Sequence, residues 1–297
     1  MSGDWAPNAY QSASLAPLAP PPPAPVWPVF AGLAAACVAT VAIAVSSTGL
    51  VAAVVAARTG ARLVPLLSGP AVQAFARSAE GVLAVALSAS LAFTVVPIVA
   101  ASFSSEGVGA RLRAGTVRGG AATFVAAAVL AAGTGYASFF VTLRAGGSAT
   151  GTVGALRRLA NVPDPRTFAL AVLVAAVGGA VAEELFVRGF ALGRIEKRLP
   201  PPLANLAVAA AFALAHSHGA DFLLSLPPGL AMGWAAQRAG SVRCTIVAQA
   251  LAHTALLCVL RAAPAVSPGY ASVAFAVIAA GVGAFGLAAS ASAQPSR

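Results

Sequence analysis

Val181-Ala182-Glu183-Glu184-Leu185-Phe186-Val187-Arg188-Gly189 sets two adjacent carboxylates and an arginine near the end of an apolar run that begins at Phe168. The chain has only 8 Asp and Glu in 297 residues. An ionisable side chain inside a hydrocarbon-spanning helix is expensive, so such a pair reads as a functional site by default. The first question is which other residues can reach it.

The composition sets the surroundings of that pair. The chain is 59% hydrophobic and 9% charged, against about 25% charged residues in a soluble globular protein. So little charge cannot coat a soluble core. It implies an all-α, polytopic transmembrane bundle, because helices satisfy their own backbone in lipid. Apolar runs at 28–57, 81–103, 119–143, 167–192, 203–217, 220–238, 241–261 and 265–291 predict about eight spans. The run at 203–217 is short and suits a helix inside the bundle. Residues 1–26 read as a disordered Pro/Ala-rich tail, without the basic start of a signal peptide. Residues 27–166 hold spans one to three, 167–262 a core of spans four to seven, and 263–297 the last span and a short tail. The segment Val64–Glu80 is expected along the interface, and Pro227-Pro228-Gly229 is expected to kink the sixth span.

The net charge is +10, and Lys197 is the only lysine. The arginines are scattered over short loops and form no stripe, which excludes a nucleic-acid surface and fits anionic headgroups. With alternate loops on alternate sides, Arg111, Arg113, Arg118, Arg194, Lys197, Arg198, Arg238, Arg243 and Arg297 share one side of the membrane. Arg58, Arg62, Arg77, Arg144, Arg157, Arg158, Arg166 and Arg261 fall on the other. The two sets are nearly equal, so the positive-inside rule selects no orientation. Cys37, Cys244 and Cys258 lack metal or disulfide spacing and read as small packing residues.

All three histidines follow the opening stretch. Counted from one side, Glu183, His216 and His253 lie roughly 14–19 Å deep at a rise of about 1.5 Å per residue. Three helices thereby bring ionisable groups to one level. Glu184 and Arg188 are four apart and share a helix face. They form the natural ion pair, and Glu183 remains the candidate general base. At about 100° per residue, Glu183 and Arg188 diverge by about 140°. Phe212 and His216 are four apart, so the ring can wall the imidazole and contact substrate. His218 points elsewhere and reads as interfacial. The bland readings are a helix-packing ion pair and hydrogen-bonded core histidines; the shared depth argues against them.

The order Glu183-Glu184-x-x-x-Arg188, Phe212-x-x-x-His216 and a later His253 resembles the CPBP family of intramembrane proteases. These are the CAAX prenyl proteases and bacteriocin-processing enzymes related to the Rce1-type endopeptidase. The resemblance spans about residues 165–262 and implies peptide-bond hydrolysis within the membrane. By that resemblance Glu183 activates water with help from His216, Glu184 and Arg188 set the geometry, and His253 stabilises the oxyanion. The family pattern places an asparagine at 257, where this chain has Leu257. Gln249, one turn before His253, is the amide that can compensate. Glu183, His216 and His253 can also be arranged as a zinc site with an open position, or can work metal-free, which is the expectation preferred here. The expected partners are membrane lipid and a peptide substrate, lipidated or membrane-embedded. The Ala-rich, arginine-over-lysine composition suits a bacterial cell membrane. Two rival functions stay open: a non-catalytic binding, immunity or scaffold protein of the same family, and a proton-coupled transporter.

Overall fold

The structure, a computed structural model, describes residues 25–60, 70–144, 151–216, 221–263 and 269–292. The Pro/Ala-rich tail, His218 and the C-terminal Arg297 lie outside the described residues, as does the first part of Val64–Glu80. Every regular element among the described residues is helical.

The long apolar runs fold as helices, because in lipid each backbone N–H must find its carbonyl within the segment. In chain order they are α1 (Trp27–Thr59), α2 (Pro70–Arg77), α3 (Ala79–Ser102), α4 (Val108–Arg111), α5 (Gly120–Arg144) and α6 (Gly151–Ala160). There follow α7 (Pro165–Ile195), α8 (Pro201–His216), α9 (Asp221–Ala239), α10 (Val242–Ala262) and α11 (Tyr270–Ser292). Helix α1 runs unbroken through Ser46–Gly49, where Thr48 returns its hydroxyl to the Ala44 carbonyl at 2.9 Å. Helices α2 and α6 are short and amphipathic, as expected for segments lying on an interface.

The polytopic helical class is as the composition implies, with a refinement to the number of spans. Among the described residues, six helices are long and apolar enough to cross: part of α1, then α3, α5, α7, α10 and α11. Helix α8 has 16 residues, about 24 Å of helix against a hydrocarbon core of about 30 Å. Helix α9 passes continuously through Pro227 and Pro228. These two pack against each other, while Leu203, Leu206 and Leu214 of α8 stand exposed, so α8 is not enclosed by the bundle as its short run suggested. A Cβ at Gly229 would press on Ala209, and one at Gly233 would displace the Asn205 side chain, so these glycines let the two helices approach closely.

The apolar interior has three parts. Phe186 and Phe190 of α7 pack with Leu112 and Val208. Leu159, Leu256, Leu257 and Leu260 join α6 to α10 beside Phe139. Ala127, Met232 and Leu287 join α5, α9 and α11. Outside, Phe30, Val38, Phe275 and Phe285 stand exposed along α1 and α11. A continuous apolar exterior of this kind marks a lipid-facing surface.

The two ends of the bundle sort the charged residues. At one end Arg113 pairs with Glu196 at 2.8 Å, Lys197 pairs with Glu106 at 2.7 Å, and Gln237 donates to Glu196 at 2.8 Å. The α4–α5 loop clasps the α9–α10 turn there, with Arg118 N donating to Ala239 O and Val242 N to Arg113 O, both at 2.9 Å. Gly240, at φ +65, makes that turn. At the other end Arg261 donates to Val162 O at 2.7 Å, and Arg144 lies 5.0 Å from the Tyr270 ring.

Candidate active site

Helix α7 is the element that carries the opening stretch, and its hydrogen-bonding pattern changes along its length. Asp164 caps its start, accepting from Thr167 N at 2.9 Å and Arg166 N at 3.3 Å. Residues Val172–Gly178 and Leu185–Leu192 are π-helical, with α-helical turns between. A π turn closes i→i+5 and is frequent at functional sites. The second π segment begins one residue after Glu184.

Glu184 and Arg188 form the expected ion pair, Nη1 to Oε1 at 2.8 Å, with both side chains essentially solvent-free. The arginine does more than neutralise. Its Nη2 donates to Gly229 O of α9 at 3.1 Å, and its guanidinium lies 4.9 Å from the Phe212 ring of α8. One side chain thus ties α7, α8 and α9 together. The Gly229 carbonyl follows directly on Pro227 and Pro228 in α9.

Glu183 and Arg188 line one cavity of about 210 Å³, together with Phe212, Gln249 and His253. The divergence of about 140° expected for an unbroken α-helix does not carry over to this helix. The α-to-π junction falls between the two residues, and i→i+5 closure brings residues five apart toward one face. His253 reaches the cavity from α10, and Gln249 one turn earlier on the same helix donates Nε2 to Glu183 Oε2. The His216 backbone ends α8, and its imidazole lies outside the described side chains.

Helix α5 contributes a wall that the sequence reading missed. Thr134, Ser138 and Thr142, together with Tyr136, line the cavity. The 134-138-142 spacing was a legible signal: four-residue steps put three hydroxyls on one face of an apolar helix. Thr134 and Thr142 return their hydroxyls to carbonyls one turn earlier, both at 2.8 Å. From α6, Val153 and Leu156 complete the wall.

Glu183 and Phe212 also line a second cavity of about 520 Å³, bounded by α1, α3, α7 and α8. Phe30, Leu33, Phe93 and Phe186 make it apolar, with Thr40 and Ser90 among its few polar residues. Glu183 is therefore reached from two sides, one lined with hydroxyls and one hydrocarbon-like.

Leu257 is fully buried in the apolar cluster with Leu159 and Leu260. The cavity is lined instead by its neighbour Leu256. Glu183 and His253 give two metal-capable donors at the cavity, and among the described residues no three His, Cys, Asp or Glu groups come together as ligands. A catalytic zinc takes three protein ligands, and the third expected here, His216, has its side chain outside the described residues.

No curated protein and no solved structure matches the chain. Residues 165–255, from the start of α7 into α10, match the family model described as Rce1-like, type II CAAX prenyl endopeptidase Rce1-like, and over that segment this multi-pass membrane protein is similar to the CPBP protease family.

Proposed function

We propose that this protein is an intramembrane endopeptidase in which Glu183 is the general base. The observation that supports it best is that Glu183 and His253, from helices α7 and α10, line one cavity within an apolar bundle. A carboxylate there takes a proton from water as the water oxygen bonds to the scissile carbonyl carbon. His253 donates toward the developing oxyanion, and His216 assists at the same carbonyl or at the water. The C–N bond then breaks, and the proton held by Glu183 passes to the leaving amine. Glu184 and Arg188 hold α7, α8 and α9 in place and do not exchange protons with substrate. Phe212 lies against the guanidinium of Arg188 and faces the substrate path.

The substrate is a peptide that reaches the site laterally from the bilayer, lipidated or membrane-embedded. The apolar cavity beside Glu183 accommodates such a chain without exposing it to water. In this reading the carboxylate works without a metal, and the Gln249 amide that donates to its Oε2 favours the ionised form that a base needs.

The test compares membranes of cells expressing the parent protein, Glu183→Gln, His216→Ala and His253→Ala, with new peptide termini sequenced in each. Termini present with the parent and missing with Glu183→Gln are the expected result. Cleavage retained in Glu183→Gln and His253→Ala together ends the proposal. Purified protein should also keep its activity in a chelator. Loss of activity restored by zinc would overturn the metal-free mechanism.

A further inference from the structure

We infer that Gln249 is a positioning residue that fixes the carboxylate plane of Glu183, a role that rests on the peptidase reading above. The sequence suggested that its amide compensates at the oxyanion, but the structure aims Nε2 at Glu183 Oε2 instead. Gln249 is buried. A buried amide must place its N–H groups on acceptors, and a carboxylate is the strongest acceptor at this site.

Three features make this bond a positioning device. It joins α7 to α10, the two helices that supply Glu183 and His253. Gln249 and His253 are one turn apart on α10, about 6 Å along the axis, so fixing one carboxylate oxygen to Gln249 also fixes its relation to the imidazole. Finally, an amide neither gains nor loses a proton in the working pH range. It orients the base without competing for the proton that the base must take, and a carboxylate with about four acceptor positions keeps capacity for water after accepting one N–H.

The bond also offsets a local weakness. Glu183 sits on the short α-helical stretch Gly179–Glu184 between two π segments. Regular i→i+4 support is interrupted on both sides of it, so its orientation depends on a partner from another helix. Gln249 supplies that partner.

The experiment uses the full chain in liposomes with Gln249→Met, which keeps the side-chain length and removes the donor, and with Gln249→Leu as a second variant. Two readouts are taken. The first is kcat and KM on a peptide identified by the terminus sequencing. The second is the infrared carboxylate band of Glu183, assigned by its loss in Glu183→Gln. The expected result is a kcat lower by about 10- to 100-fold, the scale of a misplaced catalytic group, with KM within about twofold and unfolding in detergent unchanged. The Glu183 band is expected to shift in both Gln249 variants. Parental kcat in Gln249→Met, with Glu183→Gln inactive, overturns the positioning role alone. So does a kcat loss that only tracks a loss of stability. Cleavage that survives Glu183→Gln overturns the peptidase reading instead, while the band shift still reports the Gln249–Glu183 bond.

Discussion

Arg188 shows how much one buried charge can organise. Its guanidinium meets Glu184, the Gly229 carbonyl and the Phe212 ring, with almost no solvent. Removing one member of a buried ion pair leaves an uncompensated charge and costs about 3–5 kcal/mol. Arg188→Met should therefore lower stability by that order, read as unfolding in denaturing detergent. The double variant Glu184→Leu/Arg188→Met removes both charges and should recover most of the loss. If the pair only held the fold, cleavage would return with it; the prediction is that cleavage does not, because α8 and α9 lose their tie to α7. Outside the membrane, Glu106 behaves differently. The hydrogen bond from Lys197 holds its carboxyl below the usual value, so its folded pKa is depressed. Its contribution is present above the unfolded pKa of about 4.3 and is lost as pH falls through the folded value. Both partners are well exposed. Glu106→Gln should thus cost at most about 1 kcal/mol near neutral pH, and the difference from the parent should vanish in high salt.

Helices carry the next level of argument. The start of α7 depends on Asp164, whose carboxylate accepts from the Thr167 hydroxyl, Thr167 N and Arg166 N. Led by the Thr167 hydroxyl, these bonds hold its carboxyl below the ordinary value. The cap is therefore intact above the unfolded carboxyl pKa and lost as pH falls through the lower folded one. Asp164→Ala should fray the first turn of α7 at neutral pH, and acidification should add nothing in that variant; amide exchange at Arg166 and Thr167 measures both. Between α5 and α11 the contact is backbone to backbone. A Cβ at Gly133 would collide with the Ala280 backbone, and one at Gly283 with that of Leu130. Lipid offers no hydrophobic drive between helices, so close van der Waals approach holds such a pair. Gly133→Val should cost about 1–3 kcal/mol in the same unfolding assay. It should also loosen the hydroxyl-bearing wall of the cavity, raising KM more than it lowers kcat.

At the scale of the molecule, lipid replaces water around most of the surface. Large apolar side chains are exposed on each of the six helices long enough to cross, α1, α3, α5, α7, α10 and α11. Alkaline carbonate should therefore leave the protein in the membrane fraction, and release into the soluble fraction would contradict a multi-pass fold. Charge collects at the two ends, where loops clasp each other through Arg113–Glu196 and Arg261–Val162. Between the ends the two cavities meet at Glu183 and Phe212.

Much of this was written in the one-dimensional pattern. Apolar runs located the helices to within a few residues, because a membrane leaves the backbone few other solutions. Four-residue spacing was enough to pair Glu184 with Arg188, since their contact is local to one helix. The motif order was enough to indicate the family, with the match at 165–255 covering the same helices. Three things were decided only by tertiary structure. The π segments of α7 turned Glu183 and Arg188 toward one cavity, and helix angles assumed from the sequence could not include a change of helix type. The approach of α7 to α10 gave the Gln249 amide to Glu183, a contact between residues 66 positions apart that no local spacing encodes. The packing of α5 against α9 and α10 brought a row of hydroxyls to the site, because which face of an apolar helix looks inward depends on its neighbours.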